Sequence, residues 1–286
     1  MKYYSALRDH MLAQGLSTRT VESYLSDLAM FARWYEQHTG KLLSPQRLSS
    51  TDLRQYKDYL QKVKNAAAAT VNRRLAALRT YSAWALNMGF VKLDPSSGIK
   101  GVEENKTSPR FLQSQEQAAL VNQVDTLLTS AWTEASCRQA RRDRAIVLLL
   151  LHTGLRVSEL CSLELNDIEN LGDASQVRVR AVDQGKVRRL PINRSIRKVL
   201  DNWLEVRPQV GTRAVFVGKH GEAASPLLVQ RLLAELGRRA GLEVTPQILR
   251  NTFARNLLDQ GVSLDRVAAL LGHSSLRTTV VYTSNG

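Results

Sequence analysis

Cysteine is scarce in this chain. Cys137 and Cys161 are the only two, and no Cys/His cluster has metal-ligand spacing, so neither a disulfide framework nor a zinc site is supported. Both thiols read as inert. Long apolar runs are missing too. The longest, "AIVLLLLHTGL" from Ala145, is too short to span a bilayer, and the start, "MKYYSALRDHMLAQG", carries charges where a signal peptide needs an apolar stretch. The pattern predicts a cytoplasmic protein with no membrane partner and one deeply buried core helix. The sequence holds no Gly-rich phosphate loop, no G-x-S-x-G, no H-E-x-x-H and no dinucleotide fingerprint, which removes the common nucleotide, serine-hydrolase and zinc-protease chemistries. No repeat with a period of about 20 to 50 residues is visible, and no low-complexity tract breaks the composition. Acidic residues are the last shortage: 26 Asp and Glu stand against 40 Lys and Arg, giving a formal net charge of +14. A cytoplasmic chain this basic is expected to meet nucleic acid.

What is present describes a globular protein of two domains. The 286 residues are 43% hydrophobic and 23% charged, enough for two cores of ordinary size. Ser17 is placed to cap a helix on which Val21, Tyr24, Leu28, Phe31 and Tyr35 recur at helical spacing, with Gly40 ending it. A second helix follows "SPQRLSSTDL", its stripe made by Leu53, Tyr56 and Leu60. A third begins near Thr70 and stops at Gly89. Val71, Leu75, Leu78 and Leu86 form its apolar face, while Asn72, Arg73, Arg79 and Thr80 project from another side as a basic outer face.

"LDPSSGIKGVEENKTSPRF" has Pro, Gly, Ser and charge without periodicity, and residues 96–110 are expected to be a linker. The domains are therefore 1–95 and 111–286. Past the linker, a helix is expected from about Ser114, then the basic stretch "CRQARRDR" and the buried helix. "QVRVRAVDQGKVRRLPI" alternates Val177, Val179 and Ala181 with charged residues and turns through Asp183, Gln184 and Gly185, a hairpin whose turn carries Lys186. Helices resume at Ser195.

The residues able to do chemistry are few and scattered. Arg156 follows "HTGL" at the end of the buried helix, Lys186 lies in the hairpin turn, Arg250 sits in "TPQILRNTFARNLL", and His273 and Tyr282 stand nine residues apart near the end. Each alone has an ordinary structural explanation: a helix-end ion pair, turn polarity, an aromatic packing the last helix. Their order and spacing together carry more.

"HTGLRVSEL", "LRNTFARNLLDQGVSLDRVAALLGHSSLRTTVVYT", "LSTRTVESYLSDLAMF" and "TVNRRLAALRTYSAWALNMG" together resemble a tyrosine recombinase of the phage integrase family, nearest in size to its Xer type. The resemblance covers nearly the whole chain. It implies a mainly α fold in which a helical, SAM-like core-binding domain joins a mostly helical catalytic domain with a small antiparallel β-sheet, the two clamping DNA. Residue by residue, Arg156 and Arg250 match the family arginines, His273 the histidine of the L-G-H motif and Tyr282 the nucleophile. Glu159 matches an acidic position that orients the site from behind.

Two positions depart from the pattern. Gln247 stands first in the H-x-L-R motif, where an amide donates a hydrogen bond but moves no proton. Asp183 stands where relatives carry a catalytic lysine, so the role passes to Lys186. The resemblance also points to Thr18, Arg19, Asn72, Arg73, Arg79, Arg255 and Arg277 as DNA contacts. The partner is then double-stranded DNA with inverted half-sites, met by a homodimer on one site and a homotetramer at synapsis. No cofactor or metal is implied, because a phosphotyrosine preserves the energy of the broken bond. A non-recombining DNA-binding protein of this fold and a nicking-closing topoisomerase stay open as alternatives. "TSNG" after the tyrosine is too short for the further helix that many relatives carry.

Overall fold

The computed structural model describes residues 3–104, 108–171, 174–180, 187–273 and 275–283, and the chain divides into two units, Met1–Lys106 and Thr107–Gly286. In the first, α1 (Tyr4–Ala13) precedes α2 (Thr18–Thr39), a 3-10 turn at Pro45–Arg47, α3 (Ser50–Asp58), a π-helical turn at Tyr59–Val63, and α4 (Ala68–Asn87). The Ser17 hydroxyl accepts the Thr20 amide and Gly40 turns left-handed at the far end, so both ends of α2 lie where the capping residues put them. Ser49 and Asp52 cap α3 reciprocally.

Val21, Leu25, Leu28, Phe31 and Tyr35 of α2 pack with Leu53, Tyr56 and Leu60 and with Val71, Leu75, Leu78, Tyr81 and Trp84 of α4 into one core. Leu86, expected on the buried face of α4, is exposed instead; Trp84 and Ala85 close that end of the core. The helix α1 is not marked in the sequence. Its N-cap, Tyr3, makes no side-chain capping bond and only Leu7 and Met11 are buried, so neither a cap nor a stripe announces it.

The segment read as a linker is exposed over most of its described residues but is anchored at several points. Ile99 belongs to the first core. The Asn72 amide clasps Val102, its Nδ2 donating to the carbonyl at 2.9 Å and its Oδ1 accepting the amide at 2.8 Å, while Arg79 Nη2 donates to the Ile99 carbonyl at 2.8 Å. Gly101 permits that approach, since a Cβ there would come within 2.8 Å of Asn72 Oδ1. At the other end, the Arg110 carbonyl accepts Asn251 Nδ2 and the Leu112 amide donates to Thr252 Oγ1, each at 2.8 Å. Composition reads such a stretch as a tether because it has no periodicity. Side-chain partners for its backbone anchor it all the same.

The second unit runs α5 (Ser114–Thr129), α6 (Glu134–Thr153), α7 (Val157–Cys161), a 3-10 turn at Leu165–Asp167, β1 (Ile168–Leu171), β2 (Ala174–Arg180), β3 (Val187–Ile192), α8 (Arg194–Leu204), α9 (Pro226–Ala240), α10 (Pro246–Asp259), α11 (Leu264–Leu271) and α12 (Arg277–Val280). Every residue of α6 from Ala145 to Leu151 is buried, as a helix apolar all round requires. The basic stretch before it is the same helix, not a separate element. The sheet is antiparallel in the order β1-β2-β3, with Val177 opposite Leu190 and Val179 opposite Arg188. The four-residue β1 is too short to show alternation, and the sequence reading missed it. Residues 181–186, with Lys186, lie outside the described residues. Among those described, no helix is long and apolar enough to cross a membrane. Burial pushes the Cys161 thiol up to about 11, so it stays protonated and unreactive at neutral pH.

Candidate active site

The site is built on the carboxyl ends of two helices. The last carbonyls of a helix lack intrahelical partners and carry partial negative charge. Those of α6 and α11 are taken up by guanidinium groups. Arg250, on α10 and only 4% exposed, donates from Nη1 to the Gly154 carbonyl and from Nη2 to that of Leu271, each at 2.7 Å. Arg188 Nε donates to the Leu270 carbonyl at 2.9 Å and Arg156 Nη2 to that of Gly272 at 3.3 Å. Gly272 is left-handed at φ 65°, and a Cβ there would meet Arg188 Nη1 at 2.9 Å.

Glu159 ties two of these arginines together from beneath. It is 2% exposed and accepts Arg188 in a fork, Nη1 to Oε1 at 2.8 Å and Nη2 to Oε2 at 2.7 Å. It also takes the Arg156 amide at 2.8 Å and Arg156 Nη1 at 3.0 Å. Burial alone would raise its pKa, but the hydrogen bonds and charges of Arg188 and Arg156 outweigh it and hold the carboxyl below its ordinary value. Desolvation, then repulsion by Arg156, lowers Arg250 to about 10, which leaves it charged at neutral pH.

His273 and Tyr282 close the cluster. The His273 amide donates to the Ala268 carbonyl at 3.0 Å, Nδ1 lies 2.8 Å from Thr279 Oγ1, and the ring stacks on Tyr282 with centroids 6.4 Å apart. Burial, with Arg250, Arg156 and Arg188 nearby, lowers its pKa to about 4, so the imidazole is neutral at physiological pH. Tyr282, 7% exposed, packs with Ala254, Val267 and Leu271. Burial raises its pKa, opposed by Arg250, Arg156 and a hydrogen bond with Gln247. The phenol therefore rests protonated inside a positive field that favours its anion. Gln247 is exposed at the start of α10, with Nε2 donating to Asn251 Oδ1 at 2.8 Å.

Arg156, Glu159, Gln247, Arg250, His273 and Tyr282, far apart in sequence, thus converge. Arg188 joins them and the sequence reading did not find it. The signal was there: strand alternation puts Arg188 on the same face as Leu190 and Ile192, and an arginine on a core-facing position asks for a buried carboxylate.

The expected DNA contacts divide. Thr18 and Arg19 are exposed in the first turn of α2. The helix face carrying Asn72, Arg73 and Arg79 is not a free basic surface: Asn72 and Arg79 hold 99–102 as described, and Asn72 Nδ2 also reaches Glu104 Oε1 at 2.7 Å. Arg73 pairs with the buried Asp27 and donates to Ser23 Oγ at 3.0 Å. In the second unit, Arg255 pairs with Asp259 at 2.9 Å and lies over the Phe111 ring. Arg277 opens α12; its side chain lies outside the described residues.

A tyrosine stacked on a neutral histidine within the field of two arginines brings together groups able to bind a phosphate and to attack it. Residues 112–286 match the model of the phage integrase family and residues 3–88 that of the phage integrase N-terminal SAM-like domain. The chain belongs to the phage integrase family. It is a site-specific tyrosine recombinase, a DNA breaking and rejoining enzyme with a tyrosine nucleophile. It is 33% identical over 282 residues to the tyrosine recombinase XerC of Corynebacterium glutamicum, covering 95% of this chain and 83% of that one. With the tyrosine recombinase XerD of Listeria monocytogenes serotype 4b it shares 29% over 283 residues, covering 96% and 90%. The fold matches that of the XerH site-specific recombinase bound to palindromic difH substrate in a post-cleavage complex, with a TM-score of 0.78 at 16% identity, covering 98% and 91%.

Proposed function

We propose that Tyr282 is the nucleophile and that Arg156 and Arg250 clamp the scissile phosphate. Attack of the phenolic oxygen on phosphorus breaks the bond to the 5'-oxygen, leaving a 3'-phosphotyrosine and a 5'-hydroxyl. Negative charge gathers on the phosphoryl oxygens during that step, and guanidinium forks match it. Lys186 delivers the proton that the leaving oxygen needs, Gln247 donates a hydrogen bond to the phosphate, and His273 either assists proton transfer or binds a phosphoryl oxygen. A 5'-hydroxyl from a second strand reverses the step, so exchange passes through a Holliday junction.

The observation that carries this reading is the burial of the Tyr282 ring against His273, within the field of Arg250 and Arg156. On DNA, the first unit serves as the core-binding domain, two copies occupy inverted half-sites, and four assemble on two sites. The XerH neighbour is bound to a palindromic substrate, which supports a symmetric target for this chain as well. Supercoiled plasmid carrying two target sites tests the proposal. Deletion or inversion products are expected. Relaxation alone would indicate a topoisomerase, and binding without either product a regulator.

A further inference from the structure

We infer that Thr279 is a positioning residue whose hydroxyl fixes the His273 tautomer with the ring proton on Nε2 and ties the histidine to the turn that carries Tyr282. The inference deepens the reading of the site given above and rests on it.

Thr279 is 0% exposed, on the four-residue α12. Among the described residues its hydroxyl makes one hydrogen bond, to His273 Nδ1 at 2.8 Å. A hydroxyl has a proton to place, and a buried one cannot give it to water. If Nδ1 carried the ring proton and donated to Oγ1, the threonine proton would be left without an acceptor. With the threonine donating, Nδ1 accepts through its lone pair and both the hydroxyl proton and Nδ1 are satisfied. The ring proton of a neutral imidazole then sits on Nε2. The neutrality has its own cause: burial and three nearby guanidinium groups disfavour the cation.

The backbone makes the same residue a link. The Thr279 carbonyl accepts the Tyr282 amide at 3.0 Å, and the Thr279 amide donates to the Leu276 carbonyl at 2.8 Å. The His273 amide is in turn anchored on Ala268, inside α11. One side chain therefore couples the nucleophile's turn to the histidine and the histidine to the end of a packed helix. The chemical consequence decides between the two roles left open for His273. A proton on Nε2 makes it a hydrogen-bond donor to a phosphoryl oxygen, and a neutral donor holds no lone pair there to take the tyrosine proton.

The test reads the tautomer directly, in the whole protein without DNA, by proton–nitrogen correlation spectroscopy of a histidine-labelled sample. The wild type is expected to show an unprotonated, hydrogen-bonded Nδ1 and a protonated Nε2 at His273. Thr279→Val, nearly the same shape without the hydroxyl, is expected to mix the tautomers, and Thr279→Ser to restore the wild-type pattern. On a nicked DNA site, Thr279→Val should slow covalent adduct formation roughly tenfold or more at unchanged DNA affinity, with Thr279→Ser recovering most of the rate. A proton on Nδ1 in the wild type, or a tautomer indifferent to Thr279→Val, overturns the inference, and the first of these needs no variant to fold. Absence of any adduct from the wild type would instead strike at the nucleophile assignment, with the tautomer result standing separately.

Discussion

Arg188 and Glu159 meet in a two-pronged hydrogen bond, 2.8 and 2.7 Å, directly behind the arginine that follows the buried helix. One carboxylate is shared by two guanidinium groups, and the same arginine also ties down the carboxyl end of α11. A buried charge stripped of its only partner costs about 3 kcal/mol or more; Glu159 keeps Arg156 when Arg188 is removed, so its charge is left only partly compensated. Arg188→Ala should lower stability by a part of that, on the order of 2 kcal/mol, in urea unfolding. Adding Glu159→Gln should cost less than the two single changes summed, since the stranded charge is then gone. Strict additivity would show that the pair does not act as a unit.

The depressed ionisation of His273 makes the carboxyl end sensitive to acid in a defined window. Folded, the ring titrates near 4; unfolded, near the ordinary value of about 6.5. Between the two, the unfolded state binds more protons, so stability is level above about pH 6.5 and declines as pH falls toward 4. Protection factors at the Thr279 and Tyr282 amides, which allow for the slowing of intrinsic exchange in acid, should fall over that range in the wild type and much less in His273→Gln. An equal loss of protection in both proteins would assign the effect to other groups.

Asn72 is expected to act on the path of the chain after α4. Asn72→Ala removes both bonds to Val102 and should cost about 1 kcal/mol in the first unit. Limited proteolysis is the sharper reading: new cleavage should appear after Lys100, whose carbonyl accepts Lys57 Nζ in the intact protein. If the cleavage pattern is unchanged, the segment is held by Ile99 and not by the amide.

Gln247 and Arg250 share α10 but differ in depth, and their substitutions should differ accordingly. Arg250→Lys removes a planar fork that bridges two helix ends and should reduce single-turnover cleavage on the order of 100-fold or more. Gln247→Ala, at an exposed position, should cost less, and Gln247→His should keep or raise activity. A folded, DNA-binding but inactive Gln247→His protein would mean that the pocket is fitted to an amide.

The elements that could be read from the sequence are those whose ends and faces are marked. Ser17 and Gly40 bracket α2, and the apolar run of seven residues inside α6 marks a deeply buried element. His273 and Tyr282 were legible through their spacing, which carries the likeness to the family. α1 was not, because its cap makes no bond and its stripe is two residues. The anchoring of 99–104 was hidden because its partners, Asn72 and Arg79, looked like surface charge and polarity on a helix face. Arg188 was missed because a basic residue in a basic hairpin draws no notice until the register places it opposite Val179.

The central claim, that Tyr282 is the nucleophile, is tested most directly by trapping. A DNA site nicked beside the cleavage point loses its short fragment by diffusion, so religation is blocked and the covalent complex accumulates. The wild type should yield an adduct through a 3'-phosphate without added magnesium or ATP. Tyr282→Phe removes only the hydroxyl, so it should fold, bind with nearly unchanged affinity and yield none. An adduct from Tyr282→Phe would make Tyr282 a packing residue beneath His273 and contradict the account.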